Sequence, residues 1–75
     1  MAIAPRQRRD WQGHYVTLLV PVQTKKGRLD IDSKCQVHVY DMAKGTFTLV
    51  CRFGEHVVRV AGIQPHLVQY AGVEG

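Results

Sequence analysis

Acidic residues are scarce in this chain. Six Asp and Glu stand against ten Lys and Arg in 75 residues, giving a net charge of +4. Cysteine is scarcer still, with only Cys35 and Cys51, and serine occurs once, as Ser33. No CxxC pair exists, and no Cys and His stand at zinc-finger spacing, which leaves a structural zinc site without ligands. No glycine-rich phosphate cradle is present. The longest apolar run, Leu18-Leu19-Val20-Pro21-Val22, is too short to span a bilayer. The opening Met1-Ala2-Ile3-Ala4-Pro5-Arg6 has no long apolar stretch of the kind a secretory signal carries. A reducing cytoplasm is then the simplest compartment, with both thiols serving as small core hydrophobes. The length excludes solenoids and permits one domain, whose thin core buries about 60% of the unfolded surface.

What is present is alternation. Apolar residues make up 45% of the chain, and from Trp11 onward they recur with period two, the signature of strands buried on one face. Val16, Leu18, Val20 and Val22 share one parity of a first strand, with Tyr15, Thr17 and Leu19 on the other. Pro21 marks an edge position or the end of pairing. Gln23-Thr24-Lys25-Lys26-Gly27 reads as a polar loop, and Leu29 and Ile31 as a short segment folding back over the core. Cys35, Val37 and Val39 then alternate with Gln36, His38 and Tyr40. Phe47, Leu49, Cys51 and Phe53 alternate with Thr46, Thr48, Val50 and Arg52. The intervening Asp41-Met42-Ala43-Lys44-Gly45 suits a short loop with glycine in the left-handed region.

Parity constrains the register, because core-facing odd positions must sum to an even number across the pair. A sum of 86 sets Val39 opposite Phe47, Val37 opposite Leu49 and Cys35 opposite Cys51. A sum of 88 makes the cysteines diagonal neighbours. Opposed β-carbons lie about 4.5–5.5 Å apart, so the first register leaves two free buried thiols or, with closer approach, an oxidised pair. Gly54-Glu55 fits a two-residue type II′ turn. It pairs Phe53 with His56, Arg52 with Val57, Cys51 with Val58, Val50 with Arg59 and Leu49 with Val60. Ala61-Gly62 ends that strand. Gln64-Pro65-His66-Leu67 reads as one helical turn, and Val68 and Tyr70 supply a last strand. The expected core is Val16, Leu18, Val20, Leu29, Ile31, Cys35, Val37, Val39, Phe47, Leu49, Cys51, Phe53, Val58, Val60 and Leu67. Trp11, where the arm meets this body, plugs the open end of the core or stands out as an anchor for a partner.

The order of strand, basic loop, three-strand meander, helical turn and final strand resembles the SH3-like small-barrel superfamily over residues 13–70. The resemblance implies an all-β fold, a five-stranded SH3-like barrel with one short 3-10 turn before the last strand. Residues 1–10 form a flexible basic arm, 11–71 the barrel and 72–75 a loose tail. Trp11-Gln12-Gly13-His14 is also similar to a tryptophan-led segment of the type II dihydrofolate reductases, short SH3-like barrels that tetramerise around a pore. That family's Val-Gln-Ile-Tyr pore motif is replaced here by Val57-Val58-Arg59-Val60. Val68-Gln69-Tyr70 echoes it on the wrong strand, so the catalytic role does not carry over and no enzyme activity is expected.

Isolated chemistry-bearing residues do not assemble into a site on this pattern. His14, His38, His56 and His66 never share a strand at i, i+2 spacing, and no metal or cofactor is expected. Asp30 and Asp32 are the one carboxylate pair on a strand face, and they also serve to keep a loop solvated. The surface is more informative. His38, Tyr40, Thr48, Val50, Arg52, Val57 and Arg59 fall on one outer face that mixes ring, guanidinium and exposed valine, the residue types enriched where proteins dock. Tyr15 and Leu19 add exposed apolar area. The first expectation is a binding module for a protein partner, including another copy of itself. A small basic barrel of this kind suits an accessory protein of a mobile element. The alternative is nucleic acid, with Arg6, Arg8, Arg9, Lys25, Lys26 and Arg28 on phosphates and Tyr40 stacked on a base. A solubilising arm and a solvated loop account for the same charges.

Overall fold

The computed structural model describes residues 3–74, so the first two residues of the expected arm and the last of the tail lie outside the described residues. The chain is all-β. Its elements run β1 (Tyr15–Leu18), β2 (Val22–Thr24), β3 (Gly27–Leu29), β4 (Lys34–Asp41), β5 (Thr46–Phe53), β6 (His56–Ile63) and β7 (Val68–Gly72). Short 3-10 turns occupy Arg8–Trp11 and Pro65–Leu67. Two expectations are corrected. Among the described residues there are seven strands and not five, and they do not close into a barrel. β6-β5-β4-β1-β7 form one sheet whose ladder ends at β6 and β7, while β2 and β3 pair only with each other.

The extra strands come from the segment read as a loop. After Leu18 the chain leaves the sheet, where Leu19 N–H donates to Leu67 O at 2.9 Å and Pro21 has no N–H to offer a ladder. It then folds into a ribbon pairing Val22 with Leu29, Gln23 with Arg28 and Thr24 with Gly27. At the tip the Thr24 hydroxyl donates to Gly27 O at 2.6 Å and accepts from Lys26 N–H at 3.1 Å. The ribbon rests on Phe53. Gly27 has φ +144°, and a β-carbon there would lie 2.5 Å from Phe53 Cζ.

The central meander follows the expected register over most of its length. Cys35 faces Cys51 and Val37 faces Leu49. Phe53–His56, Arg52–Val57, Cys51–Val58, Val50–Arg59 and Leu49–Val60 all pair as the Gly54-Glu55 turn dictates. Gly54 takes φ +63° and Gly45 φ +68°, as both turns require. In the β4–β5 turn the Asp41 carboxylate accepts from Ala43 and Lys44 N–H at 3.0 and 3.2 Å. Two bulges break the register. One lies between Val37 and Val39, after which Tyr40 and not Val39 faces Phe47. The other sets Phe47 opposite Ile63 after Leu49 opposite Val60, with Gly62 at φ +75°. A bulge inserts one residue, and one residue reverses every later side chain.

The core therefore differs from the expected one at particular positions. Val16, Leu18, Cys35, Val37, Phe47, Leu49 and Cys51 are fully buried, joined by Leu29 and by Trp11, Ile63 and Val68. Val39 is turned outward by the first bulge and is 41% exposed. Ile31 is 54% exposed because the chain turns at Asp32, which holds φ +69°. Val20, Phe53, Val58, Val60 and Leu67 are half-buried at the rim. Trp11 is the plug. Its ring stacks on Phe47 at 5.5 Å, Tyr70 meets it edge-on at 5.1 Å, and its Nε1–H donates to Pro5 O at 3.0 Å. The 3-10 turn that carries it begins at Arg8, within the segment read as an arm.

Candidate partner-binding face

The outer face of β1, β4, β5 and β6 is set by strand pairing. Opposed residues across an antiparallel pair project to the same side, so Tyr15, Gln36, Val50 and Arg59 form one row across four strands. Beside it lie Lys34, opposite Thr17, and Arg52, opposite Val57. Tyr15, Lys34, Gln36, Val50, Arg52 and Val57 line a shallow depression of about 520 Å3. The Lys34 ammonium lies 5.5 Å from the centre of the Tyr15 ring, a cation–π separation. Gln36 is fixed by donating Nε2–H to Gly13 O at 2.9 Å.

Most of the residues assigned to this face from the sequence reach it. Val50 and Thr48 are half-buried in the sheet surface, Arg52 and Arg59 are exposed, and Val57 is 61% exposed. His38 is exposed at the bulge. Tyr40 is the correction. The bulge carries it to the core side, where its ring lies 5.3 Å from Phe47 and its N–H donates to Gln12 Oε1 at 2.9 Å. It is held there as a packing residue, with Val39 taking its place outside. Sequence reasoning missed Lys34. The signal was available, since Lys34 shares the parity of Gln36, one residue before the strand was taken to begin.

The face is one-signed. Lys34, Arg52 and Arg59 have no carboxylate within ion-pair range among the described residues, where the ion pair found is Arg28–Asp30 at 3.4 Å between exposed side chains. Such a surface pair contributes little.

The residues of the nucleic-acid alternative do not converge. Arg6, Arg8 and Arg9 accompany the Trp11 turn, with the Arg8 guanidinium 5.2 Å from the Trp11 ring centre. Lys25 and Lys26 occupy the ribbon tip, and Arg28 is engaged by Asp30. The Trp11 turn packs on Phe47 and the ribbon on Phe53. Those two residues stand at opposite ends of the core face of β5, about 20 Å apart at strand rise. Tyr40, the ring assigned to base stacking, is half-buried against Phe47.

Among the histidines, His14 Nδ1 meets the Tyr70 hydroxyl at 2.9 Å, and His38, His56 and His66 are exposed. Among the described residues, no three His, Cys, Asp or Glu side chains come together as a metal-binding set, and no helix is long and apolar enough to cross a membrane. Cys35 and Cys51 are free thiols, both buried. Cys35 donates its thiol proton to Cys51 sulfur, and that hydrogen bond, with burial added, pushes the Cys35 thiol well above its ordinary range while lowering that of Cys51. Comparison with protein-family models, with curated proteins and with solved structures returns no match.

Proposed function

We propose that this chain is a binding module whose outer sheet face docks an acidic surface of a protein partner. One observation carries the reading. Exposed Val57 and half-buried Val50 and Tyr15 lie among Lys34, Arg52 and Arg59, with no carboxylate paired to any of those cations among the described residues. Apolar area ringed by cations suits a partner that offers apolar contact inside an acidic rim. A symmetric pairing of two copies through this face would bring Lys34, Arg52 and Arg59 of both together, a like-charge juxtaposition that costs several kcal/mol. Charge thus favours a foreign partner over self-association here. The order of a meander, a 3-10 turn and a last strand supports a topological resemblance to the SH3-like superfamily, with the sheet left open.

The test compares bead-immobilised wild type, Val57→Lys, Lys34→Glu with Arg52→Glu, and Lys25→Glu with Lys26→Glu, by quantitative mass spectrometry of what each retains after nuclease treatment. A set of acidic proteins lost on both outer-face variants and kept on the ribbon variant supports the reading. Retention that is indifferent to Val57→Lys, or that vanishes with nuclease, removes it.

A further inference from the structure

A second surface lies away from that face, along the free edge of β6. A groove of about 560 Å3 is lined by residues 23–26 and residues 58–61. Both walls are consecutive runs. Residues 58–61 lie on β6, the end strand of the five-stranded sheet, and residues 23–26 on β2 and the ribbon tip. The groove therefore runs along the β6 edge on one side and the β2 edge and ribbon tip on the other. Among the described residues, β6 pairs as a strand with β5 alone, and β2 with β3 alone. In an antiparallel strand every second residue turns its N–H and C=O to the bonded neighbour, and the residues between turn theirs away. Those of β6 turn toward the groove.

Exposed strand edges are ordinarily guarded by proline, lysine, bulges or brevity. From His56 to Val60, β6 has no proline, no lysine and an unbroken register with β5. Its guards are the bulge after Val60 and the ribbon facing it across the groove. The lining residues include Lys25, Lys26 and Arg59 and no carboxylate.

We infer that this groove accepts an extended acidic peptide segment of a partner as an added strand on β6, with Lys25, Lys26 and Arg59 reading its carboxylates. Main-chain pairing supplies general affinity, and the three cations set the sequence preference. A nucleic acid has no peptide ladder to offer the edge. A second copy of this chain would bring its own Arg59 and its own lysine-tipped ribbon against the first, so like charge and bulk exclude β6–β6 pairing. The inference shares Arg59 with the outer-face reading, whereas Lys34, Arg52 and Val57 belong to that face alone and Lys25 and Lys26 to the groove alone, so variants at those positions separate the two.

The probes are a short synthetic peptide alternating glutamate with valine and threonine, and its counterpart with lysine in place of glutamate. Each is titrated into isotope-labelled protein and followed by amide resonances and amide hydrogen exchange. The acidic peptide should perturb and protect amides of residues 58–61, leave Gln36 and Val50 unmoved, and bind with unchanged affinity to Val57→Lys. Lys25→Glu with Lys26→Glu, both at exposed tip positions, should weaken binding about tenfold while the amide spectrum stays that of a folded chain. Equal binding of the lysine peptide, perturbations centred on the outer face, or no binding of the acidic peptide at millimolar concentration would each overturn the inference.

Discussion

Tyr40 packs against Phe47 with ring centres 5.3 Å apart and the rings tilted by 57°, one residue out of step with the Val37–Leu49 pair beside it. That offset decides which of two adjacent residues belongs to the core. Tyr40→Ala should cost about 2–3 kcal/mol, since it removes a ring from the aromatic cluster around Phe47. Val39→Thr should change stability by no more than about 0.5 kcal/mol, as befits an outward-facing strand position. Urea unfolding of both variants checks the pair, and the reverse order of effects would mean that β4 is regular.

Gly27 and Phe53 make a second sensitive contact. Gly27→Ala places a β-carbon 2.5 Å from the Phe53 ring and forces a non-glycine residue to φ +144°. A loss of about 1–3 kcal/mol follows. Adding Phe53→Leu should recover the steric part and not the backbone part. A double-mutant cycle separates them.

The buried thiols give a pH signature. Cys35 keeps its proton in the folded chain to higher pH than in the unfolded chain, where the ordinary thiol value is 9.0. Above that value the folded state holds more protons at Cys35, and below it fewer at Cys51, whose thiol the same hydrogen bond lowers. The Cys51 contribution therefore grows as pH rises toward about 9, and the Cys35 contribution declines as pH rises beyond it. A Cys35→Ala, Cys51→Ala variant should lose this component of the alkaline decline. Neither thiol should react with an aromatic disulfide reagent until the protein is unfolded by urea, because both sulfurs are buried.

Low-salt binding to a short oligonucleotide provides a fourth check. The two basic clusters sit on elements packed against opposite ends of β5, so a short ligand meets one at a time. The slope of log affinity on log salt should be about −2 to −3, whereas joint engagement of all six side chains would give about −5. Val57→Lys should not weaken it. A steep slope abolished by Arg6→Ala, Arg8→Ala and Arg9→Ala would favour the nucleic-acid alternative over the protein-partner reading.

The legible parts of this fold are those where parity runs unbroken. The β5–β6 hairpin follows from Gly54-Glu55 and alternation alone, and with it the placement of Val50, Arg52, Val57 and Arg59 on one face. The β4–β5 pairing is equally readable from Cys35 to Val37 and then fails at Tyr40. Nothing in Val37-His38-Val39 signals an inserted residue, because either parity there gives a plausible strand. Gly62 did carry a signal, but a glycine ends a strand as readily as it kinks one, and Ile63 beyond it was lost from the expected core. The β2–β3 ribbon escaped for a different reason. Its strands are three residues each, and Lys25-Lys26 is not a hairpin-turn pair, the tip being held by the Thr24 side chain. A short hairpin of this kind depends on tertiary support, here the ring of Phe53.

The unsealed ladder has a colloidal consequence. Two rims with unspent main-chain hydrogen bonds are potential seeds for end-on stacking of molecules into fibrils, and at β6 mutual repulsion among Arg59, Lys25 and Lys26 is what holds neighbouring molecules off. Screening that repulsion with salt should shorten the lag before turbidity appears in warm, concentrated solution. Shelf life would then be governed by ionic strength as much as by how firmly each molecule is folded.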